Sequence, residues 1–150
     1  MIHKDLIPND LLKAIEEQLD TDLKEFEIPP PVFLAMKGEF VSFNLKSAIF
    51  RCRFPVLDEQ LNPYKVMQGG IIAAAIDNTI GPLSMLIAPP SITRKMEVKY
   101  FKSIKRENEY IYVTAQFIEQ KKRFLYFESI VDDEGGNTKY ATAKSTHWIV

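Results

Sequence analysis

The sequence predicts an α+β fold in which an antiparallel β-sheet wraps around one long central helix. Three observations predict it. The stretch from Gly69 to Pro90 is apolar on nearly every side of a helix, so other structure must enclose it. The segments flanking it alternate apolar and polar residues with a period of two, as half-buried strands do. The connections between the later segments are short and polar, which calls for hairpins and hence antiparallel pairing.

At 150 residues the chain has length for one domain with a substantial core. Hydrophobic residues make up 46% and charged residues 26%, the balance of a folded soluble protein. A formal net charge of −1 provides no basic field to recruit nucleic acid, which excludes that class of partner. Cys52 is the single cysteine and cannot form an internal disulfide. Met1 to Asp5 lack the apolar stretch of a signal peptide, so a cytoplasmic setting is expected. The apolar run carries Asp77 and Asn78 near its middle, so a core helix is expected there and not a membrane span.

Leu11, Leu12, Ile15, Leu19 and Leu23 have helical spacing, with Asn9 or Asp10 as caps, and Ile28-Pro29-Pro30-Pro31 ends that helix. This amphipathic helix is expected at an edge of the fold, with residues 1–32 forming helix and linker and 33–150 the main domain. Val41, Phe43 and Leu45 alternate with Ser42 and Asn44, and Ala48, Phe50, Cys52 and Phe54 alternate with Ile49, Arg51 and Arg53, with a turn over Asn44 to Ser47. A loop from Pro55 to Met67 leads to Gln68-Gly69-Gly70 and the long helix. Gly81-Pro82 is expected to kink or loosen it, and Pro89-Pro90 stops it. Beyond lie alternating strands through Met96 to Tyr100, Ile111 to Phe117, Phe124 to Val131, and a last one to the C-terminus. They are separated by the polar turns Glu119 to Arg123 and Asp132 to Asn137. Two strands thus precede the helix and three or four follow it.

Asp77 is the leading candidate for chemistry. A carboxylate among Ile and Ala is desolvated or faces an interior pocket, and burial ordinarily raises its pKa. A structural carboxylate bonded to a nearby loop or base is the alternative. Gln68-Gly69-Gly70 opens the same helix, where free amides and the helix dipole favour a developing oxyanion. A turn that needs small residues is the commoner meaning of Gly-Gly. Asp77 lies nine positions after Gln68, so roughly 13–14 Å further along the axis and on the opposite side. One chain cannot bring both groups to one carbonyl. Two antiparallel helices related by a two-fold axis would, which places any such site at a subunit interface.

Asn62-Pro63-Tyr64-Lys65-Val66-Met67-Gln68-Gly69-Gly70 followed by Asp77 resembles the hotdog-fold acyl-CoA thioesterases of the phenylacetic-acid-degradation (PaaI-like) type. That family has an Asn, a His-Gly-Gly six residues on, and an acidic residue nine after the His; Asn62, the 68–70 triplet and Asp77 keep both spacings. The strand from Ile92 to Phe101, the Gly135-Gly136 hairpin and the final strand are also similar, so the resemblance covers roughly residues 33 to 150. It implies hydrolysis of an acyl-CoA thioester, with Asp77 as general base or nucleophile. It further implies that the Gly69 amide, helped by Asn62, polarises the carbonyl from the partner subunit, and that Thr93 helps hold the water. The departure is Gln68 in the usual His position: its amide donates a hydrogen bond but carries no proton or charge. Related dehydratases use histidine acid/base chemistry, and neither His3 nor His147 is expected at the site.

The acyl pocket is expected along Ile76, Ile80, Leu83, Phe101 and Phe124, with Gly70 a further substrate contact. Arg94, Lys95, Lys121, Lys122 and Arg123 are candidates for the coenzyme A phosphates, as are Lys102, Lys105 and Arg106, although solvated turns more often carry such residues. Cys52 is expected to be a buried structural thiol, and no metal-ligand cluster is visible in the spacing. The expected assembly is a homodimer or tetramer, with no cofactor beyond the CoA of the substrate. The competing expectation is a binding module that holds an acyl-CoA or fatty acyl group without cleaving it.

Overall fold

A computed structural model describes residues 4–150, so His3 lies outside the described residues. The first helix, α1, spans Asn9–Leu19 and buries Leu11, Leu12 and Ile15 along one stripe. Pro8 occupies the cap position, which puts Asn9 and Asp10 inside the first turn, where the Asp10 charge suits the dipole. The helix stops short of Leu23 because Asp20 adopts a left-handed conformation (φ 47°), and the Asp22 side chain accepts the Lys24 amide to shape the next turn. Leu23 is buried all the same. The expectation that Ile28-Pro29-Pro30-Pro31 ends this helix is corrected, since α1 has closed at Asp20 well before it, and Pro31 instead opens a short helix, α2 (Pro31–Ala35), because its fixed φ suits a first helical position.

Six strands follow: β1 (Glu39–Asn44), β2 (Ile49–Pro55), then, after the long helix α3 (Gly69–Ile87), β3 (Ser91–Tyr100), β4 (Tyr110–Lys121), β5 (Phe124–Asp132) and β6 (Lys139–Ile149). They form one antiparallel sheet in the order β1-β2-β4-β5-β6-β3. The inner face carries Phe50, Cys52 and Phe54 of β2, Ile111 and Val113 of β4, Leu125 and Phe127 of β5, and Ala141 and Ala143 of β6. α3 lies on that face through Ile72, Ala75, Ile76, Thr79, Ile80 and Leu83.

Two expectations about α3 change. It runs unbroken to Ile87 with Pro82 inside it, while the Ser84 hydroxyl bonds the Gly81 carbonyl at 2.6 Å. The sheet also encloses it on one side only. The sheet covers the Ile76 side, whereas Ala73, Ala74, Asp77, Asn78, Gly81 and Met85 stay half-buried because one curled sheet reaches only part of a helix's circumference. α1 packs on α3 and not at an edge of the sheet, since its apolar stripe finds the uncovered part of that helix. α3 is long and apolar enough to cross a membrane by composition, yet it serves as the core helix of this sheet.

Candidate active site

Asp77 sits midway along α3, and its Oδ1 accepts a hydrogen bond from the Thr93 hydroxyl at 2.6 Å. Thr93 is aimed there by a β-bulge: the register of β3 with β6 slips between Thr93 and Lys95, leaving Arg94 as the extra residue. Thr93 therefore turns toward α3, and Met96 beyond the bulge packs on the core.

His147 on β6 pairs with Thr93 across the ladder and is buried, 3% exposed. Its ring packs on Phe127 with centroids 5.0 Å apart. Nε2 lies 3.3 Å from Thr93 Oγ1, and Nδ1 lies 3.2 Å from Ser91 Oγ. A threonine hydroxyl has one hydrogen, and Thr93 gives it to Asp77. Nε2–H must then donate to Thr93, while Nδ1 accepts from Ser91. Burial lowers the His147 pKa below its ordinary 6.5, against a weaker upward pull from Asp77, which agrees with this neutral tautomer. A directed chain results, from Ser91 through His147 and Thr93 to the carboxylate. The expectation that His147 stands off the site is thereby corrected. Its alternation with Ala143 and Ser145 could have placed it on the inner face; the pairing with Thr93 could not be read locally.

Asp77 is not desolvated as a lone charge in an Ile/Ala helix would be, because it lies on the half-open side of α3. Its other oxygen has no protein partner among the described residues. Asp77, Thr93, Ser91 and His147 border a cavity of about 510 Å³ roofed by the N-terminal segment.

At the start of α3 the Gln68 carbonyl accepts the Ile71 and Ile72 amides at 2.9 and 3.3 Å, and the Gln68 amide bonds the Gln60 carbonyl at 2.9 Å. The Gln68 side chain is exposed and makes no capping bond. The amides of Gly69 and Gly70 find no acceptor among the described residues, as the first turn of a helix leaves them. The Tyr100 hydroxyl donates to the Gly69 carbonyl at 2.8 Å, and a Cβ on Gly69 would stand 3.2 Å from the Tyr100 ring, a tight approach to a side chain that is half exposed. At Gly70 a Cβ would meet nothing within 4 Å, so no neighbour demands glycine there. Asn62 Oδ1 accepts the amides of Tyr64 and Val66 at 2.9 and 3.3 Å and so builds the preceding loop, leaving its Nδ2 to donate elsewhere. Gly69 and Asp77 lie eight residues apart on one helix, about 12 Å, so within one chain they do not meet.

The expected acyl-pocket residues separate by helix face. Ile76, Ile80 and Leu83 are buried against the sheet and do not border the cavity, because their spacing puts them on the sheet side of α3. Phe101 lies 59% exposed beyond β3, and Phe124 packs on Trp148 with centroids 4.8 Å apart. Among the candidate phosphate contacts, Lys121 pairs with Glu119 at 3.0 Å, Arg94 lies over the Trp148 ring at 5.6 Å, and Arg106 bonds Asp58 at 3.2 Å. Lys95, Lys102, Lys105, Lys122 and Arg123 are exposed, and none of these cations borders the cavity.

No protein-family model and no curated protein matches the sequence. Solved structures do match the fold. A phenylacetic acid degradation-related protein from Ralstonia eutropha JMP134 aligns with a TM-score of 0.76 at 16% identity, over 91% of this chain and 99% of its own. The PaaI protein of E. coli aligns at 0.72 and 12%, over 93% and 96%. A hypothetical thioesterase from Streptococcus pneumoniae TIGR4, solved with coenzyme A, aligns at 0.73 and 15%, over 86% and 97%. With one sheet wrapped on one long helix and these near-complete alignments, the chain adopts the hotdog fold of the PaaI-like proteins.

Proposed function

We propose that this chain hydrolyses acyl-CoA thioesters at sites shared between two copies of itself, with Asp77 as the base. The observation that carries this reading is a half-open carboxylate, oriented by Thr93 and His147, at the border of an apolar cavity. The coenzyme A in the S. pneumoniae structure supports the choice of thioester. A free Asp77 oxygen would take a proton from water as the water oxygen adds to the thioester carbon. The resulting oxyanion would be met by the amide of Gly69 of the partner subunit, because the Gly69 of the same chain is too distant. Collapse breaks the C–S bond, and the CoA thiolate leaves and takes up the proton. Direct attack by Asp77, through a mixed anhydride then opened by water, gives the same products. Both routes need water and no cofactor.

One surface favours pairing of copies, the edge strand β3, whose Ile92 and Tyr100 are 58% and 52% exposed. The test is free-thiol release from acyl-CoAs by the wild type and Asp77→Asn, with sedimentation for the assembly. The expected result is a fold-preserving loss on the order of 1,000-fold. Unchanged turnover in Asp77→Asn would overturn the assignment.

A further inference from the structure

We infer that the acyl group of the substrate lies in the cavity beneath the N-terminal segment, and that this chain selects an uncharged apolar acyl group of medium to long length. The inference rests on the hydrolase reading above and adds to it the binding site and the substrate class.

The walls are apolar and come from both halves of the chain. Leu11 and Ile15 of α1, Phe26 and Phe33 after it, Phe50 of β2 and Met85 of α3 all border the space. Among the described residues no lysine or arginine does, so a tail ending in a carboxylate finds no partner among them. Asp77, Gly81 and Met85 lie at i, i+4 and i+8 on α3, one stripe leading away from the carboxylate along the cavity.

Gly81 is the decisive residue. Glycine inside a helix is less stable than alanine, and a packed core would have used the side chain. Here a Cβ would meet nothing within 4 Å. The glycine thus keeps volume open one turn from Asp77, where nothing of the protein fills it. A volume of about 510 Å³, at roughly 30 Å³ per water-sized atom, holds on the order of 15 heavy atoms. An acetyl group would leave most of that space without contacts, whereas a chain of roughly ten to sixteen carbons would bury its surface against these walls.

The experiment compares kcat/KM for acetyl-, hexanoyl- and dodecanoyl-CoA in wild type, Gly81→Ala and Gly81→Leu, with dodecanoate binding measured separately by calorimetry. In the wild type kcat/KM should rise about fourfold per added methylene. Gly81→Leu fills the room of about four methylenes, so the dodecanoyl-to-hexanoyl ratio should fall on the order of 250-fold. Gly81→Ala should lower the ratio partway, with neither variant melting earlier. A ratio unchanged in both variants overturns the inference and leaves the hydrolase reading standing. Should no thioester be cleaved at all, the hydrolase reading fails and calorimetry decides the cavity. Dodecanoate bound by wild type and lost in Gly81→Leu upholds the cavity; equal or absent binding overturns it.

Discussion

Replacing Thr93 by valine keeps the shape of the side chain and removes the hydroxyl that joins Asp77 to His147. The Thr93–Asp77 bond at 2.6 Å lies in the range of hydroxyl-to-carboxylate bonds. Hydrogen bonds to charged groups contribute about 1.5–3 kcal/mol. Thr93 is exposed, so water can partly replace it, and the lower end of that range applies, about tenfold in rate. A second effect falls on the buried ring: the Nε2–H of His147 loses its acceptor, which destabilises the fold by about 1–3 kcal/mol. For a chain of this size that lowers the melting temperature by about 2–4 °C per kcal/mol. We expect Thr93→Val to reduce kcat/KM for acyl-CoA hydrolysis about tenfold and to melt several degrees earlier. Thr93→Ser, which restores the hydroxyl, should stay within a few-fold of wild type. Thiol-release kinetics and calorimetric melting read both effects. Thr93→Val within twofold of wild type in rate and within a degree in melting would refute the Ser91–His147–Thr93–Asp77 chain.

Gly38→Ala should destabilise the protein by about 1–3 kcal/mol in urea, because the new Cβ would stand 2.7 to 2.8 Å from the rings of Phe33 and Phe54; an unchanged midpoint would show that those rings can yield. His147 contributes a pH dependence whose sign follows from its lowered pKa. Above pH 6.5 the ring is neutral whether folded or unfolded and its contribution is complete. As pH falls below that value the unfolded chain takes up a proton that the folded ring resists, so stability is lost on acidification. Wild type should lose more stability than His147→Asn between pH 6.5 and 5, and parallel profiles would contradict this. Burial pushes the Cys52 thiol up to about 12, against a Thr79 contact that lowers it. Iodoacetamide at pH 7.5 should leave the folded protein unlabelled and label it in denaturant.

Much of the fold was legible because it rests on local periods. The inward-facing set Phe50, Cys52 and Phe54 follows from side-chain geometry within its strand, whereas the one-sided burial of α3 did not. Local reading failed where neighbours in space decide. The Leu23 spacing suggested a longer α1, yet the left-handed Asp20 ended it. Ile76 and Ile80 looked like pocket residues because they are apolar and close to Asp77 in sequence, and their helix face sent them into the sheet. Gly69 was open to two readings, an oxyanion glycine or a turn that needs small residues, and the bond its carbonyl accepts from Tyr100 of β3 belonged to neither.

By itself the sequence determined the order of helix and strands, the apolar face of each strand, and the presence of Asp77 nine positions after Gln68. These properties depend on residues within a few positions of one another. The tertiary structure alone decided that a bulge at Arg94 turns Thr93 to Asp77, that His147 stands behind Thr93, and that α1 roofs a cavity left open by Gly81. Each of these joins segments far apart in the chain, and their meeting is set by strand register and helix packing, which no local period encodes.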